Sequence, residues 1–104
     1  MSRVLRREDF ERHLNSFFEV RTADRGSIPV ELVAVDDRSN AAMDAFSLLF
    51  RGAKEHTFRH DTYTLVHPAM GELVIFLGPV YTGAADVVYY QAVFNSLKGG
   101  VPGT

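Results

Sequence analysis

The histidines offer the first chemistry. His56 and His60 lie four residues apart, flanked by Glu55 and Asp61, and imidazole together with carboxylate is a common ligand set for a divalent metal. That spacing brings two imidazoles to one side only on a helix. Ala53 to Asp61 has no helix-long apolar pattern and carries Lys54 and Arg59 among the would-be ligands, so we read it as a solvated loop and assign no metal. His67 stands before Pro68 where the chain turns, and there an imidazole can bond a backbone carbonyl and hold the corner. Arg51, beside Gly52, offers a contact for an anion, although an exposed arginine at a strand end is more commonly paired with a carboxylate. No Gly-x-Ser-x-Gly, phosphate-cradling glycine loop or His-Glu-x-x-His pattern occurs, so an enzyme would have to assemble its acid, base and nucleophile from distant residues. Tyr63, Tyr81, Tyr89, Tyr90 and the eight phenylalanines would suit the lining of a ligand cavity, but at strand spacing they are first of all core and cross-strand packing. We assign no catalytic residue and no cofactor.

Composition narrows the field further. The 104 residues suffice for one domain with a core of its own, and we place that domain at 1–96 with a flexible tail at 97–104, whose Lys-Gly-Gly-Val-Pro-Gly-Thr composition is that of a disordered segment. With no cysteine there is no disulfide framework, thiolate nucleophile or Cys-ligated metal. A net charge of −2 with both signs interspersed lacks the basic stripe that nucleic acid or an anionic membrane requires. The nearest approach, Arg3, Arg6, Arg7 and Arg12, is offset by Glu8, Asp9 and Glu11. No signal-peptide core and no run of about 18 apolar residues is present, which fits a cytoplasmic protein.

The elements that must position any site come from the apolar periodicity. In Gly71-Glu72-Leu73-Val74-Ile75-Phe76-Leu77-Gly78, five consecutive apolar residues between glycines form a buried strand, too short for a buried helix. Thr62 to Val66 is its hairpin partner, with Pro68 fixing the turn corner and Gly71 supplying a positive φ. Upstream, Phe10 and Leu14 four residues apart predict one to two helical turns over Arg7 to Asn15. Phe18 and Val20 alternate with Glu19 and Arg21 in a strand over Ser16 to Thr22. Ile28 to Asp36 is another, with Val30, Leu32 and Ala34 on one face, Glu31, Val33 and Val35 on the other, and Pro29 marking its start or an edge. Asp36 to Met43 and Ala53 to Asp61 read as mobile loops. Phe46, Leu48 and Phe50 share one face of a strand over Asp44 to Gly52, and Val87 to Asn95 is the last strand. Six antiparallel strands predict an all-β protein, a small barrel or roll with the helix over one open end; the alternative is a β-sandwich.

Several of these blocks carry a resemblance. Glu8-Asp9-Phe10, Ser16-Phe17-Phe18-Glu19-Val20, Phe46-Ser47-Leu48-Leu49-Phe50-Arg51-Gly52, Tyr63 to Leu73, Phe76-Leu77-Gly78-Pro79-Val80 and Tyr90-Gln91-Ala92-Val93-Phe94-Asn95 together resemble a family of small bacterial proteins of unknown function. The resemblance spans residues 8 to 95. It implies no catalytic residue; it implies an assembly or accessory role, beside phage-tail-like collar proteins. A structural module acting by protein contact is therefore the leading expectation, ahead of a small-ligand barrel and an enzyme without a recognisable motif. With Leu73, Ile75 and Leu77 inside, period two puts Val74 and Phe76 outside. Cover for that face is expected from Phe10 and Leu14 of the helix or from a second copy, which makes Phe10, Leu14, Val74 and Phe76 the expected interface.

Overall fold

β-Branched and aromatic residues, alternating with polar ones in β1 and running together in β5 and β6, form strands along most of the chain. The computed structural model describes residues 6–23, 26–54, 58–80 and 86–97, without the side chains of Ser96 and Leu97. A short helix, α1 (Arg7–Glu11), precedes β1 (Phe17–Thr22), β2 (Gly26–Asp37), β3 (Met43–Ala53), β4 (Asp61–His67), β5 (Gly71–Val80) and β6 (Val87–Leu97). The six strands close into one antiparallel barrel in the order β1-β2-β3-β6-β5-β4, so the sheet curls on itself instead of splitting into a sandwich. Closure gives every strand a neighbour on both sides for at least part of its length, which shortens the open sheet edges that would otherwise invite aggregation.

Sequential pairing holds within each half of the chain and breaks between them. β3 does not pair with β4; it runs the full length of β6, from Met43 opposite Leu97 to Ala53 opposite Val87. β4 returns to β1 through Glu19–Val66, Val20–Leu65 and Arg21–Thr64 only. Leu97 thus completes a ladder and is not part of the tail; the tail from residue 98 lies outside the described residues.

Inside the barrel sit Val20, Val30, Leu32, Leu48, Phe50, Leu65, Ile75, Leu77 and Tyr90, each no more than 2% exposed. Side chains fill even an eight-stranded barrel of minimal width, and six strands enclose less. β2 departs from the expected phase: a bulge between Leu32 and Ala34 sets Ala34 opposite Leu49 and Val35 opposite Leu48, so Val35 packs on the core and not outward. An extra residue in one strand shifts every later side chain to the other face. Pro29 lies inside β2, and the ladder to β3 begins one residue later, at Val30, where the missing proline N–H leaves no gap.

The β2–β3 connection is not the mobile loop its composition suggested. Asn40 Oδ1 accepts the amides of Ala42 and Met43, both at 2.9 Å, and Ser39 Oγ both donates to the Ala45 carbonyl and accepts its amide. Short polar side chains here stand in for backbone partners. The helix is also shorter than its apolar spacing implied. Asp9 Oδ2 accepts the Arg6 amide at 3.0 Å at its start, and Asn15 with φ 69° ends the following turn and gives its amide to the Leu32 carbonyl at 2.7 Å. Asparagine tolerates that left-handed conformation better than most residues.

Candidate interaction surface

The described residues singled out for chemistry have definite places, and Tyr81 lies outside them. His60 lies with its ring against Gly78, where an added Cβ would collide with it, and 6.3 Å from the ring of Phe76. Glu55 and His56 lie outside the described residues. Among the described residues no three potential ligands converge on a common point. The segment is anchored nonetheless: Phe58 is buried, stacked on Tyr90 at 4.1 Å and edge-on to Tyr63 at 4.8 Å, so it is no solvated loop throughout. Arg51 pairs across the strands with Glu31 and also bonds Tyr89, and its pKa is raised above the usual value first by the Glu31 bond.

One cluster was not visible in the sequence. His67 Nε2 lies 2.9 Å from Ser16 Oγ, 51 positions away in the chain, and the His13 ring stands 4.5 Å away. A serine, two histidines and a short Ser16 Oγ bond to the His13 carbonyl have the parts of a nucleophile and base. The hydrogen bonds assign other roles. His67 Nδ1 accepts the amides of Ala69 at 3.0 Å and Met70 at 3.3 Å, so the proton of the neutral ring sits on Nε2, which donates to Ser16. An imidazole in that tautomer has no free lone pair to take the Ser16 proton. The cluster braces the turn, as expected of His67, but by accepting amides and not by bonding a carbonyl.

The remaining feature is an apolar face. Leu73, Ile75 and Leu77 point inward, while Val74 and Phe76 are 69% and 61% exposed. The helix does not cover them. Phe10 instead inserts into the barrel end with no exposed surface, its ring 6.5, 5.9 and 5.8 Å from Phe18, Phe46 and Phe94, and Leu14 stays exposed. Phe10 therefore leaves the expected interface and joins the core. A buried phenylalanine contributes about 1.5–3 kcal/mol of transfer free energy, which an exposed position forgoes.

Strand pairing adds to this face. β5 pairs with β4 along Gly71–Leu77 but with β6 only at Gly78–Gln91, Pro79–Tyr90 and Val80–Tyr89. Continued along both strands, that register sets Phe76 level with Val93, itself 54% exposed. Val74, Phe76 and Val93 thus flank the line where the β5–β6 ladder stops. The polar border is the exposed Arg21–Glu72 ion pair at 2.9 Å. No described helix is long and apolar enough to cross a membrane.

No curated protein and no solved structure matches the chain. A family model described as Domain of unknown function (DUF6916) matches residues 5–94, a span that takes in α1, all of β1 to β5 and β6 through Phe94. The chain belongs to the DUF6916 family.

Proposed function

We propose that this protein is an assembly or accessory module that works by protein contact through the outer face of β5, and that its first partner is a second copy of itself. The observation that carries this reading is the pair Val74 and Phe76, exposed on a strand whose other face is core, with no described element across them. Apolar side chains grouped on one face favour a partner surface over water. A two-fold contact is the commonest solution for identical chains. The filled interior weighs against a ligand barrel, since its inward positions are occupied by the protein's own side chains. The tautomer of His67 weighs against a Ser16-based enzyme. The larger particle that the family resemblance implies is a bacterial phage-tail-like assembly, in which the same face would meet a neighbouring subunit.

Sedimentation across a concentration series up to about 100 µM tests the reading, because association follows mass action. The parent chain is expected to form dimers. Val74→Lys and Phe76→Glu are expected to be monomers whose unfolding free energy stays within about 0.5 kcal/mol of the parent monomer, as for exposed positions. A parent that remains monomeric throughout, or variants that associate as it does, would overturn the proposal.

A further inference from the structure

We propose that His67 is an acid-sensitive latch: neutral, it fastens the β4–β5 hairpin to the segment after α1, and on protonation it lets go of that segment and of the Phe10 plug it holds in the barrel. The geometry makes the latch depend on one protonation state. Nδ1 must keep its lone pair to accept the amides of Ala69 and Met70, while Nε2–H reaches Ser16 Oγ. An imidazolium is a donor at both nitrogens. Protonation therefore faces an N–H toward two N–H groups and removes both turn bonds, and rotating the ring to relieve this abandons Ser16.

The described surroundings provide no compensating charge. His13, from the turn after α1, stands 4.5 Å away and is itself basic. β1 contributes the Phe18 ring at 4.5 Å and the flanking Ser16 hydroxyl, and the hairpin contributes amides. Among the described residues no carboxylate forms an ion pair with either histidine. Burial lowers the His67 pKa, and the neighbouring His13 lowers it further. The sign follows from linkage. The unfolded ring titrates near about 6.5 and the folded ring below it, so between the two values the unfolded chain holds more protons. The stability His67 contributes is complete above about pH 6.5 and is lost as the pH falls through the folded value.

What the latch holds is the plugged end. Ser16 adjoins Asn15, whose amide ties the turn after α1 to Leu32. Ser16 also bonds the His13 carbonyl through both its hydroxyl and its amide. With the ring released, Phe10 and Met70, both buried at this end, lose the bond that closes the hairpin against the helix segment.

Residue-resolved amide exchange at about pH 7.5 and about pH 5 tests the latch, the histidine range being the one that matters. Protection of Ala69 and Met70, corrected for intrinsic exchange, is expected to fall by up to about tenfold per pH unit below the folded pKa. Leu48 and Phe50, in the β3–β6 ladder, should hold. His67→Asn keeps an oxygen that can accept the amide two residues on, as in an Asx turn, and does not titrate; its protection should be flat. Unchanged protection in the parent, or an equal fall in His67→Asn, would overturn the proposal. Should that variant not fold, the ring nitrogens of the parent decide by ¹⁵N NMR. A bare Nδ1 at neutral pH whose protonation coincides with lost protection supports the latch, and an Nδ1–H at neutral pH defeats it.

Discussion

Both ends of the barrel are stopped by a phenylalanine, yet different forces hold the two stoppers. At the α1 end Phe10 is fully buried among Phe18, Phe46 and Phe94, and a hydrogen-bonded cluster of His13, Ser16 and His67 secures the segment behind it. At the other end Phe58 lies flat on Tyr90, with planes 2° apart and 7% of its surface exposed, and Tyr63 donates to the Arg59 carbonyl at 2.7 Å. Stacking of that kind has no protonation state in the neutral range. The first end combines apolar burial with a titratable clamp; the second combines ring contacts with a tyrosine hydrogen bond that does not titrate in the neutral range. Equivalent closures can therefore answer differently to the same change in conditions.

The sharpest way to test that contrast is to remove the stoppers. Phe10→Ala should cost about 3–5 kcal/mol in denaturant unfolding, the range for a fully buried phenylalanine, and Phe58→Ala about 3 kcal/mol, because that ring is not completely enclosed. Equal losses would erase the distinction. Next comes the hairpin under the clamp. Gly71 holds φ 75° with nothing within 4 Å of an added Cβ, so Gly71→Val strains backbone without any clash and should cost about 1–3 kcal/mol. An unchanged melting temperature would show that the turn is not set by that residue. The smallest effect belongs to the Phe58 end, where Gly78→Ala collides with the exposed His60 ring. The ring can swing into solvent, so we expect about 1 kcal/mol, the low end of overpacking, with a displaced His60 resonance. A variant with both stability and that resonance unaltered would place His60 away from Gly78.

Much of this architecture was legible in the residues themselves. Leu73, Ile75 and Leu77 against Val74 and Phe76 give both faces of β5 from alternation alone, and Pro68 with Gly71 gives its turn. The bulge was hidden because Val33, Ala34 and Val35 are all apolar and fit either phase, and only pairing with Leu48 and Phe50 shifts it. Ser39 and Asn40 looked like loop residues, yet their side chains close the β2–β3 turn; composition reports polarity and not which polar atoms meet. Ser16 with His67 was beyond reach, since only the β1–β4 pairing brings those positions together. Phe10 looked available as a cover because apolar spacing marks a buried face without naming what buries it.

The unequal ladders divide the barrel in time as well as in space. β1, β2, β3 and β6 are joined by long runs of pairing, whereas the β4–β5 hairpin is attached to β1 and to β6 by three residue pairs on each side. Joining β3 to β6, whose near end pairs Ala53 with Val87, requires closing a loop of roughly a third of the chain, a non-local step of the kind that slows folding. The hairpin can form early by itself, but its short seams mean that it docks late and is the first cooperative unit to detach.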